Sequence, residues 1–478
     1  MRLQMVLLMV LCSLSSVHWA KGSSFAINEL GVRAMGMAGA FVATADDASA
    51  IFYNPAGIAF QKGTQLESDS VAVIGLFRFS PSDPPPGQIV PSNGFSGIVK
   101  PHFIPFGGLY MTRTMSPRFT IGFGIFVPFG LAANFENFHD GDPANTKYPG
   151  RFAGDRGALQ TYWFQPTVAY RINANSSIAA GVAYVHSHLF LQQSILNPLT
   201  DGKTFGTAFA STIFPTIDPT AAAASIARLL PEGRSRAAAT SNAPGFNLGY
   251  LFRHPRSKTN IGLAWRSAVV NHLHGEDTFS FVPGATLPQF LPSGTTMNTL
   301  FPNQAIKATF TEPGTYSAGV SNSLFWDSTI EADFEIQDFQ RFKDLPINFT
   351  KTGKNIATPA EARLVFDFHN SYILKLGIEK RMKKITAVRM GYVFDHTPVP
   401  DKSVGGLFPD SSRNSVTFGV TQTRGNLEFS AYYQAMFFMD RVTNVAANAN
   451  QFTNGDYSNF AHLAGVGLRI FPGRHPNH

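Results

Sequence analysis

The chain has 478 residues, a formal net charge of +7 and a charged fraction of 14%, well below the roughly 25% of soluble globular domains. Hydrophobic residues reach only 44% and the mean hydropathy is −0.02, so a bundle of spanning helices is excluded too. Little charge, 42 glycines and 44 phenylalanines suit a transmembrane β-barrel, whose strands turn one face to lipid and the other to a polar lumen.

The first 20 residues carry one early cation, Arg2, an apolar core "LQMVLLMVLCSL" and then small residues, with Ala20-Lys21-Gly22 at the end of the stretch. This reads as a secretory signal peptide over 1–22. Cleavage there removes Arg2 and Lys21, lowering the formal charge to +5, together with Cys12, the chain's one cysteine. A chain without thiols cannot mispair them in an oxidising compartment.

Residues 23–60 differ from everything downstream. "GVRAMGMAGAFVATADD" is dense in Gly and Ala, which permits close backbone packing, and "DDASAIFYNPAGIAF" follows it. Asp46 or Asp47 can cap a helical turn, and Asn54-Pro55 imposes an extended-to-turn geometry. An ordinary linker before a strand would be more polar.

From there, alternation predicts strands near 71–79, 104–113, 118–127, 159–170, 176–190, 244–253, 258–269, 306–322, 327–338, 371–380, 385–394, 413–423, 425–437 and 460–471. In "NLEFSAYYQAMF", Leu427, Phe429, Ala431, Tyr433, Ala435 and Phe437 share one face, while Glu428, Ser430 and Gln434 share the other. In "DSTIEADFEIQD", Glu331, Asp333 and Glu335 oppose Ile330, Phe334 and Ile336. Three carboxylates on one face cannot point at hydrocarbon, so that face is lumenal. Lys375, Glu379 and Arg389 fall on the same side by alternation, giving a lumenal charge ladder in which buried carboxylates require partners. An ion-paired wall is the structural reading of this ladder, and a carboxylate-binding role for Lys375 or Arg389 is the functional one. Tight turns alternate with long connections (191–243, 270–305, 339–370, 395–412, 438–459), the layout of an outer-membrane barrel with its long loops outside the cell. The expected fold is all-β: a 14-stranded antiparallel transmembrane β-barrel plugged by an N-terminal hatch over 23–70, with the barrel over 71–471 and a tail over 472–478. A lumen ringed by fourteen strands is too wide for side chains alone to fill.

The stretch "FAINELGVRAMGMAGAFVATADDASAIFYNPAGIA" resembles the N-terminal hatch signature of the FadL/TodX family of outer-membrane transporters. Asn28-Glu29, the Gly36 and Gly39 spacing, Asp46-Asp47-Ala48 and Asn54-Pro55-Ala56 occur in order. "FGIFVPFGL", "QPTVAYRIN", "TNIGLAWRS", "MGYVFDHTPVPD" and "FPDSSRNSVTFGV" extend the likeness over nearly the whole chain. The resemblance implies passive uptake of long-chain fatty acids or similar hydrophobic molecules, with aromatic hydrocarbons as the alternative within the same fold. It further implies pocket contacts from Phe25 and Ile27, and a hatch motif, Asn54, Pro55 and Ala56, that packs beside an inward kink of the third strand where the wall opens laterally. In that strand Gly122 and Gly124 weaken packing and Pro128 removes a ladder donor, although a plain glycine-containing strand fits the same residues. Lateral exit has a physical reason: releasing about fifteen methylenes into water forfeits roughly 12 kcal/mol at ~0.8 kcal/mol per CH₂.

No G-x-S-x-G motif and no phosphate loop occur, so neither an enzyme nor a cofactor or energy source is expected. "HLHGED" (His272, His274, Glu276, Asp277) has metal-like spacing but reads as a surface loop, and no metal site is expected. His186 and His188 share a face that is either lumen or loop. The apolar "LFLQQSIL" and "FGTAFASTIFPTI" of the 191–243 connection fit a capture groove. A general porin would need an open lumen, and an adhesin would not need the hatch. Expected partners are hydrophobic small molecules, outer-membrane lipid and lipopolysaccharide, with no nucleic acid and a monomeric chain. The last strand ends in Phe471, a terminal aromatic suited to barrel assembly, followed by "PGRHPNH".

Overall fold

The computed structural model describes residues 24–82, 97–99, 103–135, 138–139, 148–195, 232–281, 293–323, 328–352, 356–382, 386–443 and 453–472. The signal-peptide region, the basic tail and the "FGTAFASTIFPTI" segment therefore lie outside the described residues.

One antiparallel sheet closes on itself. Its strands are β1 (Thr64–Pro81), β2 (Gly97–Val99), β3 (Phe103–Ser116), β4 (Phe119–Asn134), β5 (Phe138–His139), β6 (Arg156–Arg171) and β7 (Ser176–Ile195). They continue with β8 (Gly233–His254), β9 (Thr259–Arg266), β10 (Val269–Phe281), β11 (Gln304–Glu312), β12 (Thr315–Asn322), β13 (Ser328–Gln337) and β14 (Asp344–Phe349). The last are β15 (Glu361–Val365), β16 (Ser371–Arg381), β17 (Thr386–Asp395), β18 (Arg413–Arg424), β19 (Leu427–Phe438), β20 (Arg441–Thr443) and β21 (Gly455–Ile470). The wall runs β1, β3, β4, β6, β7, β8, then β9 with β10, β12 with β11, β13, β16, β17, β18, β19 and β21. The closing pair is β1 with β21, in register from Leu66↔Ile470 to Pro81↔Gly455. This makes fourteen wall positions, and closure leaves no wide sheet edge for other chains to pair with. The seventh and eighth strands are each split, at Ser267-Ala268 and at Pro313-Gly314, and the two splits face one another between Arg266↔Thr315 and Val269↔Glu312. β14 and β15 form a hairpin of the long β13–β16 connection, and it adds to the upper end of β11 through Ile306↔Phe349.

Alternation sorts the side chains as lipid and lumen require. Leu374, Leu376 and Ile378 of β16 are 48%, 53% and 40% exposed on the outer wall. Lys375 and Glu379 on the opposite face of the same strand are buried, as are Glu331, Asp333 and Glu335 on neighbouring β13. No helix among the described residues is long and apolar enough to cross a membrane. β1 begins at Thr64, so the strand takes in residues 64–70 that the sequence reading leaves to the plug.

Residues 24–60 lie inside the ring, almost all buried. They hold α1 (Val32–Met35), α2 (Ala50–Tyr53) and a 3-10 turn over Pro55–Phe60. Small residues let this segment touch the wall backbone: a Cβ on Gly262 of β9 would stand 2.1 Å from the Val42 carbonyl oxygen. At Gly31 the chain enters α1 with φ +73, a conformation that favours glycine. We expect Gly262→Val to displace the 41–44 stretch while the barrel still closes. Heat-modifiable gel migration should be unchanged, and limited proteolysis near Val42 should become at least several-fold faster; unchanged proteolysis would contradict the packing.

Candidate functional site

The ladder of the wall is interrupted beside this segment between β8 residues 241–246 and residues 267–273, and, where the N-terminal chain itself fills the gap, at the upper end of the β3–β4 pair. β3 and β4 pair from Ser116↔Phe119 up to Gly108↔Phe126, and beyond that β3 pairs only with β1. β4 continues against β6, with a register shift between Phe126 and Phe129 that sets Val127 and Pro128 opposite Tyr162. Pro128 has no N–H for the ladder, and bulges bend the strand that carries them. The edge of β4 left without β3 is taken by the N-terminal chain instead. The Ile27 N–H donates to the Pro128 carbonyl at 2.8 Å, the Gly130 N–H donates to the Phe25 carbonyl at 2.6 Å, and Ala26 bridges Phe129 between them.

The break thus falls at Val127-Pro128, three residues past Gly124. Gly122 and Gly124 stay in an intact ladder opposite Thr112 and Tyr110, and their missing side chains make room for Ile51 of α2. Nor does the Asn54 side chain bond to the kinked strand. It donates to the Val42 carbonyl at 2.8 Å and to the Tyr250 carbonyl of β8 at 3.0 Å, and it accepts the Ala56 N–H at 3.2 Å, capping the 3-10 turn. Pro55 is the first residue of that turn, and the Ala56 carbonyl accepts from Ser177 of β7 at 2.8 Å. The motif is seated on β7 and β8, while Phe25 to Ile27 meet the break.

Above the break, Phe25 is enclosed by rings. Its centroid lies 5.1 Å from Phe339, 5.0 Å from Phe342, 5.9 Å from Phe129 and 6.3 Å from Phe408. Phe366 and Phe368 extend the cluster, at 5.0 Å and 5.2 Å from Phe408. Edge and tilted contacts of this kind add to the burial that holds aromatic clusters together. The sequence reading placed capture on 191–243, most of which lies outside the described residues, and did not single out the connection that carries these rings. The available signal was five phenylalanines, Phe339, Phe342, Phe349, Phe366 and Phe368, within 30 residues. On its solvent side, Lys402 donates to Asp367 and holds that carboxyl below its ordinary range.

The lumenal cations of the charge ladder are engaged by the wall and the N-terminal segment. Lys375 donates to Glu335 at 2.9 Å, Arg389 to Glu379 at 2.7 Å, and Arg33 of α1 to the same Glu379 at 3.0 Å. Arg33 also pairs with Asp46. Glu331 accepts the Ala43 N–H at 2.6 Å and the Thr44 N–H at 3.0 Å, and Asp333 accepts those of Phe41 and Val42 at 2.7 and 3.0 Å. On the opposite side of the ring, Glu67 and Asp69 of β1 accept the Ala48 and Val32 N–H groups. Of the four carboxylates in the ladder, Glu335 and Glu379 are thus ion-paired, and Glu331 and Asp333 are acceptors for the segment's backbone.

"HLHGED" is not a loop but part of β10. His272, His274 and Glu276 alternate on its outer face and Asp277 turns inward, so the four do not converge. His186 and His188 also face outward, with His186 2.8 Å from Asn242.

A closed antiparallel ring of fourteen strands, apolar outside and polar within, defines the chain as an outer-membrane β-barrel. Residues 11–470 match the family model described as outer membrane protein transport protein (OMPP1/FadL/TodX), and the chain belongs to that family. Among solved structures, a Pseudomonas aeruginosa FadL homologue is similar over 94% of this chain and 99% of its own, with a TM-score of 0.72 at 17% identity. The CymD monoaromatic hydrocarbon channel is similar over 92% and 97% (TM-score 0.62, 16% identity), and the P. putida toluene transporter TodX over 90% and 95% (TM-score 0.61, 14% identity). A Neisseria meningitidis serogroup B protein named as an outer membrane protein is 32% identical over 124 residues, and the match spans 26% of each chain.

Removing the Asn54 amide leaves the Val42 and Tyr250 carbonyls short of a donor, and an unsatisfied buried group costs about 1–3 kcal/mol. We expect Asn54→Ala to lower the thermal midpoint for release of the N-terminal segment by several degrees without lowering that of the barrel, as measured by differential scanning calorimetry. A single unshifted transition would contradict this role.

Proposed function

We propose that the protein carries uncharged hydrophobic small molecules passively across the outer membrane, entering at the phenylalanine cluster and leaving sideways where β3 and β4 part. The observation that carries the reading is the pairing of Phe25 to Ile27 with the β4 edge. The residues that fill the wall break also place a ring in the centre of the apolar cluster. A ligand that takes the place of Phe25 among those rings therefore pulls on the strand that seals the wall. Diffusion down the gradient suffices, since an apolar molecule moving from rings to lipid is never exposed to water.

Between the two ligand classes expected from the sequence, the pairing of the lumenal cations favours neutral molecules such as aromatic hydrocarbons over fatty acids. A fatty acid carboxylate bound at the charge ladder would have to displace Glu335 from Lys375 or Glu379 from Arg389, both buried pairs, whereas Arg266 of β9, buried against Phe52 and Phe126, has no carboxylate partner among the described residues and is the one lumenal cation near the break that could take it without breaking a pair. Breaking a buried pair strands a charge, at a cost of about 3–5 kcal/mol. The TodX and CymD structures are named for toluene and monoaromatic hydrocarbons, which agrees with this choice. A general porin would pass sugars in a liposome swelling assay, and we expect no swelling.

Ala26 and Phe129 form a non-hydrogen-bonded antiparallel pair, the geometry in which Cα atoms approach to about 4.5 Å. The double variant Ala26→Cys with Phe129→Cys can therefore be locked by oxidation. In cells lacking their own transporter, we expect labelled toluene uptake to fall at least tenfold on oxidation and to recover on reduction, with oleate uptake low throughout. Undiminished toluene uptake in the locked form would overturn the lateral route, and strong oleate uptake would return the substrate to fatty acids.

A further inference from the structure

The ladder between β8 and its next neighbours in the wall lapses at one height. β8 pairs with β9 up to Asn247↔Arg266 and with β10 from Thr240↔His274, and between these pairs residues 241–246 and 267–273 face each other without a ladder. A backbone bond from the Ser267 N–H to the Phe246 carbonyl, at 2.8 Å, closes the lower corner. β8 keeps its register with β7 throughout, so Asn242 and Pro244 turn their backbone groups to the gap as Phe246 does, and Pro244 has no N–H to give. On the outer face, the gap lies where apolar Val182, Phe246, Leu248 and Val270 give way to His186, Asn242, His272 and His274, at the border of the lipid-facing band.

Behind the gap, three buried polar atoms are left over. Oε1 of the fully buried Glu312 accepts from the Asn271 amide at 2.9 Å and from the Ser187 hydroxyl at 3.1 Å, and Ser241 donates to Asn271 at 2.6 Å. Oε2 of Glu312 has no hydrogen-bond partner among the described residues. Nor has Nε1 of Trp163, whose indole is turned to the same carboxyl, nor Nε of Arg266, whose guanidinium carbon lies 5.6 Å from the centre of the Trp163 ring. Arg266 spends another N–H on the Phe52 carbonyl at 2.6 Å. The Trp163 ring also reaches the wall at the gap, since a Cβ on Gly245 would stand 2.8 Å from it. Two donors and one acceptor, all on side chains more than nine-tenths buried, thus surround the position of one small polar group. Buried polar atoms normally have partners, and three without them in one place call for an occupant.

We infer that the gap is a second ligand site, in which a chain alcohol docks from the bilayer: its hydroxyl enters the gap, and its alkyl chain stays in lipid against exposed Phe246 and Val270. A hydroxyl supplies one donor and two acceptor lone pairs, which matches Glu312 Oε2 on one side and Arg266 Nε and Trp163 Nε1 on the other. Only the head enters the wall, so the chain needs no lumenal cavity. A hydrocarbon leaves all three atoms unpaired, and a carboxylate meets Glu312 as a like charge with no donor for it. The two interruptions of the wall therefore suit different cargo. At β4 the open edge is already bonded to Phe25 and Ile27, which leaves an apolar seam. The β8 gap offers polar partners at the depth where the head of an amphiphile sits. The inference rests on the transport reading for its role, as a place where hydroxylated molecules pass between lumen and lipid with the hydroxyl kept bonded.

The test is photolabelling of the purified full-length barrel with dodecanol carrying a diazirine beside its hydroxyl, the labelled peptides being located by mass spectrometry. We expect label on 241–246 and 268–273 that excess unlabelled dodecanol suppresses at least tenfold and that equal dodecane or laurate does not. The lipid-facing stretch 374–378 of β16 should take label without saturation. A hydrogen bond to a charged group is worth a factor of about ten or more in affinity. Glu312→Gln keeps an acceptor for Asn271 and Ser187 but turns a donor on the hydroxyl, and should lower the saturable label at least fivefold. Gly245→Val, which drives Trp163 across the gap, should do the same. Saturable label that is absent from the gap, or unchanged in both variants, overturns the site and leaves the three atoms to water. Laurate competing better than dodecanol overturns the choice of an alcohol, and if a variant fails to fold, the wild-type competition decides alone. Toluene uptake by whole cells reads the transport function separately: uptake without saturable label at the gap sinks only the site, and label without uptake sinks only the transport reading.

Discussion

Backbone that is neither strand nor long helix can sit inside a barrel only if its N–H groups find acceptors, because buried unpaired amides cost about as much as the hydrogen bonds that folding makes. Here the acceptors are supplied by the wall. Glu331 and Asp333 take four consecutive N–H groups from Phe41 to Thr44, and Glu67 and Asp69 take two more from the other side of the ring. Arg33 adds an ionic tie to Glu379. These lumenal carboxylates are held in place because the alternating strand faces that point them inward also point Ile330, Phe334 and Leu376 at lipid.

This fastening is uneven. The middle of the segment is gripped by charged acceptors, whose hydrogen bonds are the stronger kind. The stretch from Phe25 to Ile27 is held by two backbone bonds to β4 and by ring contacts, with the Ser24 N–H reaching Asp410 at 3.1 Å. In the proposed route, a ligand that competes for ring contacts would act on the weaker end and leave the stronger end in place, so that the lumen would not open fully as in a porin.

Much of the barrel was legible because its signal is periodic and repeated. Each expected strand coincides with a wall strand, and Lys375, Glu379 and Arg389 face the lumen as their alternation required. The hatch motif was legible as composition, since small residues are needed wherever Gly262 meets Val42 or Gly57 meets Ala45. What could not be read was long-range pairing. Nothing local in "YNPAG" says that Asn54 bonds to Tyr250, almost 200 residues away, or that the Gly130 N–H turns to Phe25 and not to β3. The phenylalanine cluster was missed for the same reason: its rings come from a connection with no period, and only their density marked it. "HLHGED" misled because a strand that continues above the membrane carries polar residues on its outer face, which at sequence level looks like a loop.

The most direct measurement is residue-resolved hydrogen exchange of the purified protein with and without toluene. The Ile27 and Gly130 amides should exchange at least tenfold faster when toluene is present, while those of Phe41, Val42, Ala43 and Thr44 keep their protection. Equal protection of Ile27 and Gly130 in both states would contradict a ligand-driven release of the wall seam, and loss of protection across 41–44 would mean that the whole segment leaves the lumen.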